Sequence, residues 1–289
     1  MKCNICPRGC NVDREKAIGV CGSRTQIKLA KSCVLQWEEP VISGGHGSGA
    51  IFFSGCNLKC CFCQNYEISH QNWGKEVSID RFIEIIKELE AKKVNNINLV
   101  SPTQWTSQII EAFSLYKPSV PIVWNSNGYE LSDVLERIAK FVDVFLVDCK
   151  FRDSALSLKF CKAQDYPEKN QHAIETMLRL KPNIVLKDGI IQSGVIVRHL
   201  IMPNCVRDSL AVLDYLDGLK RIYQFYLSIM SQYVPMYKAG DFAEISRKIT
   251  PLEYKIVLKK ATELGFDGFM QDLSSADSCY IPKFDLEGI

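Results

Sequence analysis

The stretch GCNLKCCFCQN, residues 55–65, places four cysteines within eight residues. It directly follows the apolar run Ala50–Phe53, which indicates a buried β-strand that ends where the thiols begin. Three of the cysteines, Cys56, Cys60 and Cys63, have the spacing C-x3-C-x2-C, and Cys61 is an additional neighbour. Core packing, disulfides, zinc and an iron–sulfur cluster are the four competing interpretations of such a motif.

The composition of the chain favours metal binding over disulfides as the role of these cysteines. The chain has 289 residues, of which 47% are hydrophobic, and a core of that size needs no disulfide staples. The sequence shows neither a signal-peptide pattern nor an apolar run of membrane-spanning length, so we expect a cytoplasmic protein with no membrane partner. Thiols stay reduced in the cytosol, and the 13 cysteines are therefore expected to bind metal more than to form disulfides. The net charge of +2 gives no polyanion-binding signature, and no nucleic-acid partner is expected.

The middle of the chain alternates short apolar runs with amphipathic stretches. The pattern predicts strands over residues 50–54, 96–100, 121–124, 142–147, 194–200, 225–229 and 266–270. It predicts helices over residues 80–92, 104–116, 131–140, 168–180, 208–216 and 251–264. Alternating strands and helices indicate parallel βαβ units, and six or more such units indicate a barrel or part of one. Residues 1–48 lack helical periodicity, and we assign them to a Cys-rich extension in front of a barrel domain of residues 49–289.

The number of ligands favours an open cluster. Structural zinc and a closed four-iron cluster each require four protein ligands. The motif supplies three cysteines at regular spacing, and we interpret the adjacent Cys61 as a packing residue. Three thiolates on a four-iron cube leave one iron free to bind a substrate or cofactor. The motif also follows a predicted strand, and α/β barrels bind their ligands in the loops at the carboxyl ends of strands.

At this point the sequence resembles the radical S-adenosylmethionine (SAM) superfamily, whose defining motif is C-x3-C-x2-C with an aromatic residue, here Phe62, before the last cysteine. Further stretches resemble the branch akin to pyruvate formate-lyase activating enzymes: residues 47–69 (GSGAIFFSGCNLKCCFCQNYEIS), 101–105 (SPTQW), 124–130 (WNSNGYE), 147–151 (VDCKF), 197–204 (VRHLIMPN), 230–235 (MSQYVP) and 274–289 (SSADSCYIPKFDLEGI). The resemblance implies a partial (β/α)6 TIM-like barrel and a [4Fe–4S] cluster on Cys56, Cys60 and Cys63. It also implies that SAM is reductively cleaved to a 5′-deoxyadenosyl radical, which abstracts hydrogen.

The resemblance also implies cofactor-binding residues at the strand ends. Asp148 and Lys150 match the D-x-K motif of activating enzymes, although a solvated ion pair is the alternative. A Gly-Gly-Glu motif that many relatives carry is replaced here by Ser101, Pro102 and Thr103, so the usual carboxylate is absent. The full set of expected cofactor contacts is Asn125, Ser126, Asp148, Lys150, Arg198, Ser101 and Thr103. His199, beside Arg198, is more simply explained as a hydrogen-bonded structural residue.

The N-terminal segment carries a second cysteine pattern. Cys3, Cys6, Cys10 and Cys21 have the spacing C-x2-C-x3-C-x10-C. Four thiols can bind a tetrahedral Zn²⁺ ion or a second iron–sulfur cluster, and unliganded cysteines are the alternative. The spacing does not distinguish zinc from iron–sulfur.

By analogy with activating enzymes, the expected substrate is a carbon–hydrogen bond in a partner protein, such as a glycine that becomes a glycyl radical. The expected reductant is a flavodoxin- or ferredoxin-like protein. Radical modification of a small molecule or of another protein side chain is one alternative. A non-catalytic iron–sulfur electron carrier is the competitor from a different class.

Overall fold

A computed structural model describes residues 2–275 and 282–289. The strands are β1 (Ile27–Leu35), β2 (Ser48–Phe53), β3 (Lys75–Val77), β4 (Ile97–Val100), β5 (Ile122–Ser126), β6 (Val144–Asp148), β7 (Val185–Lys187), β8 (Ile190–Leu200), β9 (Tyr226–Met230) and β10 (Gly268–Met270). The helices are α1 (Pro40–Ser43), α2 (Tyr66–Ser69), α3 (Ile79–Ala91), α4 (Thr106–Leu115), α5 (Ser132–Ile138), α6 (Ser154–Cys161), α7 (Tyr166–Leu180), α8 (Val206–Lys220) and α9 (Pro251–Glu263). Cys279 and the rest of residues 276–281 of the tail motif lie outside the described residues.

The main sheet has the strand order β10-β9-β8-β6-β5-β4-β2-β1-β3. Every neighbouring pair from β2 to β10 along this order is parallel, whereas β1 pairs antiparallel with β2 and with β3. Helices follow the parallel strands, as the βαβ pattern requires. The predicted fold class, a partial barrel of six β/α units, is confirmed, with the short strand β10 as an additional parallel member.

Helix α3 shows why the helical predictions succeeded. Its buried residues Phe82, Ile85, Ile86 and Leu89 recur with helical spacing. The hydroxyl of Ser78 accepts a hydrogen bond from the Arg81 amide and so satisfies one of the free N–H groups at the helix start. Local capping and the burial of one face therefore agree.

Strand β1 was missed by the sequence analysis. It lies within the segment assigned to the N-terminal extension, and it pairs with β2 from Leu35 opposite Ser48 to Leu29 opposite Phe53. A boundary between residues 48 and 49 therefore falls inside β2 and separates most of this strand from its partner β1, and that division of the chain stays a prediction. Lys31 and Ser32 interrupt the apolar pattern of β1, which is why periodicity alone did not indicate it.

The interior of the barrel is apolar at the amino ends of its strands. Ile42 of the short helix α1 packs there against Val123, Val144 and Ile196, which come from three different strands. Helix α1 thus forms a floor beneath the barrel. Among the described residues, no helix combines the length and the apolar character needed to cross a membrane.

Candidate functional site

The cysteine motif forms a loop directly after β2. Its backbone is fixed by hydrogen bonds from the amides of Lys59 and Cys61 to the carbonyls of Cys161 and Phe160, at 3.1 and 2.8 Å. The loop begins at Gly55, whose φ is +83° and where an added Cβ would lie 2.6 Å from a backbone oxygen. Only glycine fits this position without strain.

The three motif thiols each have a polar neighbour. Cys56 accepts a hydrogen bond from Nδ2 of Asn127 at 3.3 Å, and Cys63 lies 3.2 Å from Oγ of Ser69. Burial raises the pKa of the Cys56 thiol, and it raises that of Cys63 to about 12. Both thiols therefore require positive charge nearby before they can ionise, and metal ions supply such charge to coordinating thiols.

Cys60 contacts a cysteine that the sequence analysis did not single out. Its thiol donates to the sulfur of Cys161 across 3.3 Å, at the end of α6. This hydrogen bond and burial raise the pKa of Cys60. Cys161 carries no spacing signal, so only the tertiary structure identifies it. Cys61 lies in the main apolar core beside Phe62, as does Cys60, and its assignment as a packing residue stays a prediction.

Four of the predicted cofactor residues meet inside the barrel at the carboxyl ends of β5, β6 and β8. Asp148 accepts from Nζ of Lys150 at 2.6 Å and from Nε of Arg198 at 3.0 Å. Arg198 also donates through Nη2 to Oδ1 of Asn125 at 2.7 Å. Asn125, Asp148, Lys150 and Arg198 thus form one connected network, which we call the strand-end network.

The strand-end network is held in its charged form. Burial alone would raise the pKa of Asp148, but Lys150 and Arg198 outweigh it and the pKa is lowered. Burial would likewise lower the pKa of Lys150, yet Asp148 and Cys60 raise it. Lys150 therefore stays cationic, and its electrostatic coupling to Cys60 joins the network to the cysteine loop.

Two further residues belong to this network and were missed. Glu38, in the loop between β1 and α1, accepts from Nδ2 of Asn98 at 3.2 Å and lies 3.4 Å from Nη1 of Arg198. Burial raises the pKa of Glu38 to about 7, although Arg198 opposes the rise. The sequence carries one indication of Asn98, because it is a polar residue in the middle of an apolar strand. Glu38 gave none, since its partner Arg198 lies 160 positions away along the chain.

The structure does not bring Ser126 and Thr103 into the strand-end network. Both hydroxyls donate to Oε1 of Glu130, at 2.6 and 2.8 Å, and Trp124 donates to the same oxygen from its indole nitrogen. Side chains alternate along a strand, so Ser126 faces away from the interior that its neighbour Asn125 faces. Glu130 is buried on the side of the sheet that packs against the helices, where it fixes the loop after β4 to the end of β5.

Ser101 and His199 have backbone and packing roles. Ser101 has a φ of +58°, and its amide donates to the carbonyl of Asn125 at 2.9 Å. His199 hydrogen-bonds the carbonyl of Cys149 at 2.7 Å and Oγ of Ser209 at 2.8 Å. Burial lowers the pKa of His199 to about 4, so the ring is neutral at neutral pH. It has the contacts of a structural histidine.

The four N-terminal cysteines line a single cavity. Cys3, Cys6, Cys10 and Cys21 all border it, together with Arg8 and Arg14. The segment packs against the cysteine loop, because Nε of Arg8 donates to the carbonyl of Asn57 at 2.7 Å and the carbonyl of Cys21 accepts from the amide of Cys56 at 3.3 Å.

The donor set after β2 fits an iron–sulfur cluster in its chemistry. It offers three cysteine thiols, of which Cys60 interacts electrostatically with Lys150, and iron–sulfur clusters are held by cysteine thiolates. Within residues 2–275 and 282–289, no group of three or more His, Cys, Asp or Glu side chains converges on one metal-ion position. A four-iron cluster does not require such convergence, since each thiolate binds a different iron.

The family model described as "Radical SAM superfamily" matches residues 50–191. The uncharacterized protein MJ0674 of Methanocaldococcus jannaschii is 30% identical over 277 residues, which cover 92% of this chain and 75% of that protein.

Solved structures share the fold at low identity. Streptococcus suis SuiB bound to its precursor peptide SuiA superposes with a TM-score of 0.52 at 13% identity, over 76% of this chain and 48% of that one. The FeFe-hydrogenase maturase HydG of Carboxydothermus hydrogenoformans gives a TM-score of 0.53 at 13% identity, over 80% of this chain and 56% of that one. The chain thus spans about half the length of these two proteins, and the likeness concerns the fold alone.

Proposed function

The chain belongs to the radical SAM superfamily, whose members cleave SAM through an iron–sulfur cluster, and from this premise we propose that it is an activating-enzyme-like oxidoreductase. Cys56, Cys60 and Cys63 are the proposed ligands of a [4Fe–4S] cluster. When bound, SAM and the cluster together supply a 5′-deoxyadenosyl radical that takes hydrogen from a carbon–hydrogen bond. The observation that carries this proposal is the strand-end network, whose Lys150 interacts electrostatically with Cys60, since its charged and amide groups could bind the methionine part of SAM.

Lys150 and Arg198 have the charge needed to hold a carboxylate. Both are largely buried. Lys150 pairs with Asp148, and Arg198 pairs with Asp148 at 3.0 Å and with Glu38 at 3.4 Å. Glu38 approaches Arg198, but burial raises its pKa to about 7 and its charge is incomplete at neutral pH. A second carboxylate, such as that of methionine, would complete the charge balance of this network.

Asn127 and Ser69 are proposed to orient and tune the thiolates. Each has a polar atom within 3.3 Å of a motif sulfur, namely that of Cys56 or Cys63. Hydrogen bonds to cluster sulfurs adjust the reduction potential of a cluster. Cys60 is buried and Cys56 and Cys63 are half-buried, so the loop limits the access of water to the reacting atoms, which a reactive radical requires.

The proposed substrate is a protein or peptide, with a glycine that becomes a glycyl radical as the specific candidate. Two observations support this: the activating-enzyme-like stretches of the sequence, and the precursor peptide in the SuiB structure that shares the fold. A flavodoxin- or ferredoxin-like protein is the proposed reductant, and the cytoplasm is the proposed location because thiols remain reduced there. Radical modification of a small molecule is the second candidate.

Catalysis is tested by anaerobic reconstitution with iron and sulfide, followed by reduction in the presence of SAM. Formation of 5′-deoxyadenosine, measured by liquid chromatography and mass spectrometry, supports the proposal. A Cys60→Ala variant should form none. Wild-type protein with a spectroscopically intact cluster that forms no 5′-deoxyadenosine would contradict the proposal and favour an electron carrier.

The substrate class is tested with deuterium. Cells that naturally produce this chain are grown on deuterated medium, and their extract is separated into macromolecules and small molecules. Each fraction is then added to the reduced enzyme with unlabelled SAM. Deuterium in 5′-deoxyadenosine from the macromolecular fraction alone supports a protein substrate, whereas deuterium from the small-molecule fraction alone supports the second candidate.

A further inference from the structure

We propose that Cys3, Cys6, Cys10 and Cys21 form a second metal centre, in which four thiolates bind a thiophilic metal, either one Zn²⁺ ion or an iron–sulfur cluster. The four thiols do not converge on one metal-ion position in the structure, so they would turn towards the metal as it binds. All four are free cysteines that border the same cavity. The cavity is small, with a volume of about 10 Å³. Zinc and iron–sulfur clusters share the requirement for four thiolate ligands, so the two candidates are separated by experiment.

The backbone around the cavity already turns towards the sulfurs. The amide of Cys3 donates to the carbonyl of Val12, and the amide of Asn11 donates to the carbonyl of Cys3. The chain therefore doubles back on itself beside the cavity. The amide of Val20 donates to the sulfur of Cys10 at 3.5 Å, and a Cβ at Gly19 would lie 3.3 Å from the same sulfur. A backbone N–H directed at a sulfur stabilises a thiolate more than a thiol.

Arg14 supplies an independent observation. Its Nη1 donates to the carbonyl of Gln104 at 2.7 Å, and its guanidinium lies over the ring of Trp105, 4.9 Å from the centroid. The other two donor positions, Nε and Nη2, are buried and have no acceptor. Arg14 also borders the cavity. Two buried donors of a half-buried cation that lack acceptors are costly, and thiolates held by a metal would provide the missing negative charge.

The N-terminal metal centre would stabilise the loop that carries Cys56, Cys60 and Cys63. Cys21 accepts from the amide of Cys56 through its carbonyl, and Arg8 donates to the carbonyls of Asn57, Lys162 and Cys161. These contacts join the N-terminal segment to both sides of the cysteine loop. The inference concerns this segment alone and does not depend on the proposed catalysis.

The test uses a variant that lacks the three motif cysteines and measures the metal that remains bound. In a triple variant, Cys56→Ala, Cys60→Ala and Cys63→Ala, the metal content of anaerobically purified protein is measured together with acid-labile sulfide. About one zinc per chain without sulfide identifies a zinc centre. About four irons and four sulfides per chain identify a cluster. Either result supports the proposal, and neither depends on whether the enzyme cleaves SAM.

Matched variants on the same background locate the metal. Adding Cys6→Ser and Cys10→Ser should abolish the remaining metal, whereas adding Cys33→Ser, a cysteine outside the quartet, should retain it. Adding Arg14→Gln should weaken retention against a chelator by about tenfold or more, because residues that support metal ligands contribute about that much to affinity. Metal that responds to none of these changes would be adventitious and would overturn the proposal.

A second measurement distinguishes loss of the metal site from misfolding of these variants. Metal-stripped triple variant is titrated with Co²⁺, and its far-ultraviolet circular dichroism is compared with that of the wild type. A folded protein that develops thiolate-to-cobalt charge-transfer absorption supports the centre. A folded protein that develops none, and that was purified without metal, refutes it.

Discussion

Glu38 is the residue whose substitution best tests the electrostatics of the site. It is buried, and its folded-state pKa is raised from 4.5 to about 7. The folded chain therefore holds this proton at pH values where the unfolded chain has lost it. Because the folded state binds more protons between about pH 4.5 and about pH 7, the free energy of unfolding falls as the pH rises through this window.

The size of the effect follows from the rise of about 2.5 in pKa. At about 1.4 kcal/mol for each pKa unit, deprotonation of Glu38 costs the folded state about 3 kcal/mol above pH 7. A Glu38→Gln variant keeps the shape of the side chain and can still hydrogen-bond Asn98, but it cannot ionise. Its free energy of unfolding should lack this decline.

The assay is anaerobic urea unfolding, followed by tryptophan fluorescence, across the same pH window for wild type and Glu38→Gln. The difference in unfolding free energy between the two proteins should change by about 3 kcal/mol from the acid to the neutral end. Glu244→Gln is the control, since Glu244 is an exposed partner of Lys159 and should leave the decline in place. Parallel pH profiles for wild type and Glu38→Gln would refute the burial of a protonated Glu38 in the network.

Four substitutions test other parts of the site. Cys60→Ala should abolish cleavage of SAM while Cys61→Ala leaves most of it, because only the first is a proposed ligand; equal losses in 5′-deoxyadenosine formation would contradict the ligand assignment. Lys150→Ala should weaken SAM binding, measured by equilibrium dialysis, more than it lowers iron content, and unchanged binding would remove Lys150 from the cofactor site. Asp148→Asn should lower the free energy of unfolding by about 3–5 kcal/mol, since it leaves Lys150 and Arg198 without their shared carboxylate, and chemical denaturation that shows a loss below about 1 kcal/mol would argue against a buried ion network.

The features that could be predicted from sequence are those written in local patterns. The alternation of apolar and amphipathic stretches predicted the parallel strands and their helices. An apolar run indicates a strand that is buried on both faces, and an amphipathic stretch indicates a helix that is buried on one face. Asn125, Asp148, Lys150 and Arg198 each stand at the end of a predicted strand, and parallel strands bring such ends to one edge of the sheet. The strand-end network was therefore within reach of sequence analysis.

The remaining features depend on tertiary contacts. Ser126 and Thr103 were expected at the cofactor, but Glu130 takes both hydroxyls on the opposite face of the sheet. The two-residue period of β5 held the relevant information, since Asn125 and Ser126 cannot face the same side. Glu38 and Cys161 are different, because each meets its partner across more than 100 positions of sequence, at Arg198 and at Cys60.

The floor formed by helix α1 determines how molecules can pass through the proposed enzyme. Within the part of the chain that the structure describes, Ile42 packs against Val123, Val144 and Ile196 at the amino ends of the strands and so covers that end of the barrel. Whatever reaches the network of Asp148 and Lys150 must withdraw on the side by which it arrived. A small cofactor would then have to enter before a bulky polypeptide, and its spent fragments could depart only after that polypeptide had moved aside. The order of binding and release would be imposed by the architecture of the barrel.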